Sequence, residues 1–230
     1  MLRIVYSIPF FRERICRIRF FFFLKFKELS TGSLNSVLHS EYSKVSIKTY
    51  NSNKNRITYL VKLLENISST PSVKKVLSCG PRFESELYGY RSLGFRWRNI
   101  VAIDTFSYSN KIQLGNIHAL DFIDNSFDYI VAGWVIAYSE NPVAAVKELT
   151  RVLKRGGKLL ITWDVSEKNL PEKLGDIYLP RINNMSERYE IADKIFLSDF
   201  LVDNLKVERM EFGFLEKVGT SSFVALVLKK

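Results

Sequence analysis

Residues 127–163 read FDYIVAGWVIAYSENPVAAVKELTRVLKRGGKLLITW, and the order of patterns within them sets the fold. Phe127 to Val135 is an almost unbroken apolar run, as expected of a strand buried on both faces. Pro142 to Leu153 reads as a helix with proline in its first turn, where a missing N–H costs no intrahelical bond. Gly156 and Gly157 make a tight turn, and Lys158 to Trp163 forms a second strand. A strand, a helix and a strand in this order form a parallel pair, because the crossover helix must lie on a face of the sheet.

The same alternation extends toward the N-terminus. Val73 to Cys79 is a short apolar strand, Glu84 to Leu93 a helix closed by Gly94, and Ile100 to Ile103 a second buried strand ending in Asp104. Before them, Ile57, Leu60, Val61, Leu64 and Ile67 recur at helical spacing until Ser68-Ser69-Thr70-Pro71 breaks the helix. Toward the C-terminus a helical stretch near Glu187 to Val202 precedes two long alternating strands, Leu205 to Gly213 and Ser221 to Lys229. Their short connection predicts an antiparallel hairpin. The fold expected is α/β, with a mostly parallel sheet covered on both faces.

A chain of 230 residues, 47% hydrophobic and 25% charged, buries a core and is not globally disordered. Its two cysteines, Cys16 and Cys79, lie too far apart in sequence for a disulfide scaffold or a paired-thiol metal site, which suggests a reducing, cytoplasmic compartment. The net charge of +10 is concentrated in residues 1–56, where 11 basic side chains meet 3 acidic ones. The near-neutral remainder argues against a nucleic-acid groove across the body.

Residues 7–28, SIPFFRERICRIRFFFFLKFKE, alternate aromatic and basic side chains. The longest apolar run, Phe20 to Leu24, is far shorter than the roughly 20 residues of a spanning helix. Two readings remain for residues 1–28: peripheral contact with a membrane surface or a protein, or an extension packing its aromatics on its own domain. Leu29 to Asn55, poor in large apolar residues, reads as a linker. The expected division is therefore an N-terminal extension and linker, 1–55, and one domain, 56–230.

In an open parallel sheet, ligands bind beyond the carboxyl ends of the strands. One strand end here is Ser78-Cys79-Gly80-Pro81-Arg82-Phe83-Glu84, where Gly80 lets backbone approach a ligand. Neither a GxGxxG nor a GxxxxGK[ST] pattern is present, which disfavours pyrophosphate cofactors. Asp104 ends the next strand, where a carboxylate can accept both hydroxyls of a ribose or cap a turn. Cys79 in this apolar setting reads as a small buried hydrophobe.

Taken together, VKKVLSCGPRFESEL, NIVAID, GNIHALDFIDNSFDYIVAGWVIAYSENP and ELTRVLKRGGKLLITWD resemble the class I S-adenosylmethionine-dependent methyltransferase family over residues 73–164. The resemblance implies a doubly wound, mostly parallel seven-stranded sheet with a C-terminal antiparallel hairpin, and S-adenosylmethionine as cofactor. It further implies that Gly80 lies under the methionine moiety and that Asp104 binds the ribose. Asn116 and Ile117 would face the adenine edge, and Gly133 and Trp134 would border the sulfonium and the acceptor. Ser78 and Pro81 belong to the same loop. In that loop Ser78 stands where the family has an acid, and Arg82 and Glu84 stand at later glycine positions. Glu84 is the expected replacement for the missing negative charge near the methionine ammonium.

Tyr138 and His118 are the candidates for touching or deprotonating an acceptor. The function implied is methyl transfer to a small-molecule or saccharide-type acceptor, in which positioning supplies most of the rate. The alternative is a non-catalytic module of the same fold acting through its basic N-terminus, in which charge reversal of Arg12, Arg14, Arg17 and Arg19 would abolish the role. A nicotinamide-dependent oxidoreductase has little support without a pyrophosphate loop. No metal site is expected.

Overall fold

The computed structural model describes residues 2–22, 27–28, 54–164, 205–215 and 220–229. Two helices open the chain, α1 (Leu2–Ser7) and α2 (Pro9–Phe22), followed by the short strand β1 (Lys27–Glu28) and helix α3 (Lys54–Ile67). Next come β2 (Val76–Cys79), α4 (Glu84–Leu93), β3 (Ile100–Asp104), β4 (Phe106–Ser107) and β5 (Gln113–Leu114). Then β6 (Phe127–Gly133), α5 (Pro142–Val152), β7 (Leu153–Asp164), β8 (Leu205–Leu215) and β9 (Thr220–Lys229) complete the described elements. The helix expected near 187–202, and the linker as far as residue 53, lie outside the described residues.

The main sheet has seven strands in the order β5-β3-β2-β6-β7-β9-β8. The first five pair in parallel, and β9 runs antiparallel to β7 and to β8. The doubly wound sheet with its terminal hairpin is thus the arrangement that the resemblance implied.

Three departures from the sequence reading have a visible cause. The first parallel strand begins at Val76 rather than Val73, which is exposed in the preceding turn. The strand expected to reach Val135 stops at Gly133, because Trp134 takes a left-handed backbone with φ +56° and leaves the extended path. Gly156 and Gly157 lie inside β7 as a bulge, since pairing jumps from Phe127 with Leu153 to Tyr129 with Lys158.

Alternation along the strands builds two cores. Ile130, Ala132, Leu159 and Ile161 pack with α5 through Val146 and Leu149. Their neighbours Tyr129, Val131 and Leu160 point to the opposite face, where Leu60 and Leu64 of α3 and Leu87 and Tyr90 of α4 cover them. Gly94, at φ +112°, ends α4 with its N–H on the Arg91 carbonyl, a backbone that side chains resist.

The contact between α3 and α4 depends on Gly89. A Cβ there would come within 2.3 Å of Val61 Cγ2, a stiff branched methyl. Gly89→Ala is expected to lower stability by about 1 kcal/mol or more, because overpacking outweighs the roughly 1 kcal/mol that alanine gains in a helix. Urea unfolding checks this, and an unchanged or higher midpoint would contradict it.

The N-terminal segment joins the second core. Cys16 and Phe20 are fully buried there, and Phe20 packs edge-on against Tyr108 at 4.9 Å. Arg12, only 2% exposed, donates to the Tyr6 carbonyl and to Thr58 Oγ1 of α3, both at 3.4 Å. β1 pairs antiparallel with β4, just beyond Asp104.

Candidate cofactor site

Cys79 pairs with Ile103 on one side and with Ala132 on the other, so the carboxyl ends of β2, β3 and β6 align at one edge of the sheet. The chain leaves β2 through Gly80, which has φ +70° and donates its N–H to the Ile103 carbonyl at 2.9 Å. A Cβ at Gly80 would lie 3.1 Å from Val135 Cγ2, so the residue suits both the turn and the close approach. Pro81 follows, buried, with its carbonyl accepting the Phe83 N–H. Arg82, at a glycine position of the family pattern, keeps a glycine-like φ of +55°. An L-residue there costs about 1–2 kcal/mol, which implies that neighbouring contacts hold the loop.

Asp104 supplies such a contact. Its Oδ2 accepts the Arg82 N–H at 3.0 Å and its Oδ1 the Phe106 N–H at 3.3 Å. Each carboxylate oxygen keeps a second lone pair for a ligand hydroxyl. Burial holds the Asp104 carboxyl above the usual carboxylate range, against the opposing pull of Arg82 and the backbone N–H groups. Cys79 is buried and its thiol is pushed up by desolvation, in keeping with a packing role.

Glu84 and Glu86 divide the work of the first turn of α4. Glu84, 1% exposed, accepts from Arg19 Nε at 2.6 Å and Nη2 at 3.2 Å, and from the Ser109 hydroxyl. It is committed to the N-terminal segment. Glu86 is the carboxylate beside Ser78, with Oε1 accepting from Ser78 Oγ and from Tyr90 Oη, each at 2.5 Å. No described residue donates to Glu86 Oε2. Burial raises the Glu86 carboxyl, against the two hydroxyl bonds and the field of Arg56. Sequence reading missed this residue, although the acid missing at Ser78 was the signal for it.

Arg56 is the second residue that the sequence concealed. From α3 its Nη2 donates to the Gly133 carbonyl, and its guanidinium lies 4.7 Å from the centre of the Trp134 ring. Trp134 is 4% exposed, and its N–H donates to the Thr162 carbonyl at 2.8 Å. At Gly133 a Cβ would meet Leu60 Cδ1 at 2.6 Å.

Past β5, Asn116 Oδ1 accepts the His118 backbone N–H at 2.9 Å and faces His118 Nδ1 at 2.8 Å. That backbone donor fixes the amide oxygen, so Nδ1 carries the proton, and in the neutral ring Nε2 accepts from Ser139 Oγ at 2.8 Å. Both nitrogens of His118 are therefore engaged. Ile117 belongs to the first core, whereas Tyr138, in a single 3-10 turn after β6, is 38% exposed.

Residues 91–161, from the end of α4 into β7, match the methyltransferase domain family. A protein of Methanocaldococcus jannaschii, MJ1123, is 39% identical over 136 residues, 52% of this chain and 64% of its own length. The ubiquinone/menaquinone biosynthesis C-methyltransferase UbiE of Shewanella pealeana is 36% identical over 130 residues, 51% of each chain. The chain thus spans between half and two-thirds of the length of these relatives. The crystal structure of Burkholderia thailandensis 1,6-didemethyltoxoflavin-N1-methyltransferase, with 1,6-didemethyltoxoflavin and S-adenosylhomocysteine bound, superposes with a TM-score of 0.60 at 12% identity. It covers 89% of this chain and 92% of that one. Residues 91–161 are thus similar to a methyltransferase domain, and the strand order with its terminal hairpin agrees with the fold of that crystal structure.

Proposed function

We propose that the chain transfers the methyl group of S-adenosylmethionine to a small-molecule acceptor. The observation that carries this reading is a pair of buried carboxylates at one sheet edge, Asp104 ending β3 and Glu86 beside Ser78 at the end of β2. The cofactor has no phosphate, so its chemistry calls for ribose acceptors, an anion for its ammonium and an apolar adenine slot. Asp104 suits the ribose, the open Oε2 of Glu86 suits the ammonium, and Gly80 and Pro81 suit the methionine chain. Asn116 and Ile117 suit the adenine edge, while Gly133 and Trp134 border the reacting end. When bound, the cofactor supplies an activated methyl group on a sulfonium. The chain's own residues then align the acceptor, with Tyr138 the exposed group next to this edge and His118 held by Asn116 and Ser139.

A near-neutral body and the ligand of the Burkholderia enzyme support a small acceptor over a nucleic acid, and a saccharide-type compound belongs to that class. Two buried free thiols, Cys16 and Cys79, fit a reducing cytoplasmic compartment. The division into a 1–55 extension and a 56–230 domain stands as part of this reading. Among the described residues no helix is long and apolar enough to cross a membrane.

Calorimetric titration with S-adenosylmethionine and S-adenosylhomocysteine tests the reading. Micromolar affinity is expected, weakened about tenfold or more in Glu86→Gln, which keeps the shape and removes the charge. Absence of binding by the wild-type chain would overturn it in favour of a non-catalytic module.

A further inference from the structure

The two N-terminal helices present unlike faces. Their inner side holds Arg12, Cys16 and Phe20 in the core and places Arg19 on Glu84. Their outer side leaves large apolar side chains in water: Ile4 is 68% exposed, Phe10 57%, Ile18 58%, Phe21 65% and Phe22 81%. Arg3, Arg14 and Arg17 are exposed among them, and the Arg14 guanidinium lies 5.2 Å from the centre of the Phe10 ring. Glu13, the acidic residue of these helices, is buried at 4% exposure. Every charge that α1 and α2 show to solvent is therefore positive.

We propose that the outer face of α1 and α2 docks on an anionic lipid surface. Interleaved phenylalanine and arginine match the layering of a bilayer interface, where guanidinium groups reach phosphates and rings enter the acyl boundary. At about 1.5 Å per residue, α2 is about 21 Å long and suits a position in the plane of the interface. A second copy of the chain is a poor occupant, because the arginines of one face would oppose those of the other. The four arginines of α2 separate accordingly: Arg14 and Arg17 face outward, while Arg12 and Arg19 serve the fold.

Co-sedimentation of the full chain with vesicles tests this. Binding is expected to phosphatidylcholine vesicles containing about 30% phosphatidylserine, with little to phosphatidylcholine alone, and with loss as salt rises from about 0.1 M to about 1 M. Arg14→Glu and the pair Phe21→Ser with Phe22→Ser are each expected to cut partitioning about tenfold or more. Thermal unfolding and cofactor titration confirm that these surface variants remain folded. Equal binding to neutral vesicles, no binding at all, or wild-type partitioning by both folded variants would overturn the proposal, and none of these outcomes bears on cofactor binding. Retention by an acidic protein matrix without vesicle binding would likewise overturn it, by assigning the face to a protein.

Discussion

Asp104→Ala is expected to weaken binding of S-adenosylmethionine and S-adenosylhomocysteine by about a hundredfold or more. Hydrogen bonds to a charged acceptor contribute about 1.5–3 kcal/mol each, so losing two ribose bonds accounts for that factor. The substitution also removes the acceptor for the Arg82 and Phe106 N–H groups, which frees a loop already holding Arg82 at φ +55°. Asp104→Asn separates the two effects, since its amide oxygen still accepts from one N–H. Acidity gives a second readout. The Asp104 carboxyl is raised in the folded chain, so the native state binds the proton more tightly than the unfolded state. Acidification into this range increases the site's contribution to stability, and that contribution is lost as pH rises through the raised value. Cofactor affinity runs the other way, because the protonated carboxyl accepts fewer hydrogen bonds. Relative to Asp104→Asn, the wild-type chain should lose cofactor affinity as pH falls, by calorimetry across mildly acidic buffers. A parallel pH response in the two proteins would contradict the assignment.

The parallel sheet was legible because each strand and crossover helix carries its own period and its own punctuation. Asp104 and Gly80 were legible for the same reason, since strand ends in such a sheet define the ligand edge. The choice between Glu84 and Glu86 was not. Both occupy the first turn of α4, but two positions at about 100° each turn them well apart around the helix. Only the rotation of α4 on the sheet decides that Glu86 meets Ser78 and Glu84 meets Arg19, and that rotation is set by Leu87 and Tyr90 in the second core. The N-terminal segment posed the same difficulty more sharply. Arginine and phenylalanine recur on all sides of α2, so its periodicity did not distinguish buried Arg12 from exposed Arg14. Docking makes the distinction, because Thr58 and the Tyr6 carbonyl await the Arg12 guanidinium. Arg56 opened a helix recognisable from its apolar spacing, yet its reach to the Gly133 carbonyl depends on how α3 crosses β6.

Arg19→Glu is expected to destabilise the chain by about 3 kcal/mol or more, as when a buried ion pair loses one partner and gains a repulsive one. Glu84 is 1% exposed on its side chain against 26% for Arg19, so solvent can relieve the arginine but not the carboxylate. The consequence reaches the cofactor edge. Glu84 is the first residue of α4, its N–H donates to Tyr108 Oη at 2.9 Å, and Phe20 next to Arg19 packs on the same tyrosine. Arg19 thus helps to hold the loop that carries Gly80 and Arg82, as a positioning residue rather than a ligand contact. Arg19→Lys keeps the charge but not the two-pronged geometry, and should recover most of the stability with only part of the cofactor affinity. Urea unfolding and calorimetry on the wild type, Arg19→Lys and Arg19→Glu measure both quantities. If affinity for S-adenosylhomocysteine stays at the wild-type value in a folded Arg19→Lys chain, the loop is held by Asp104 and Gly80 alone. A decline in affinity larger than the decline in stability would instead make the N-terminal segment part of the site.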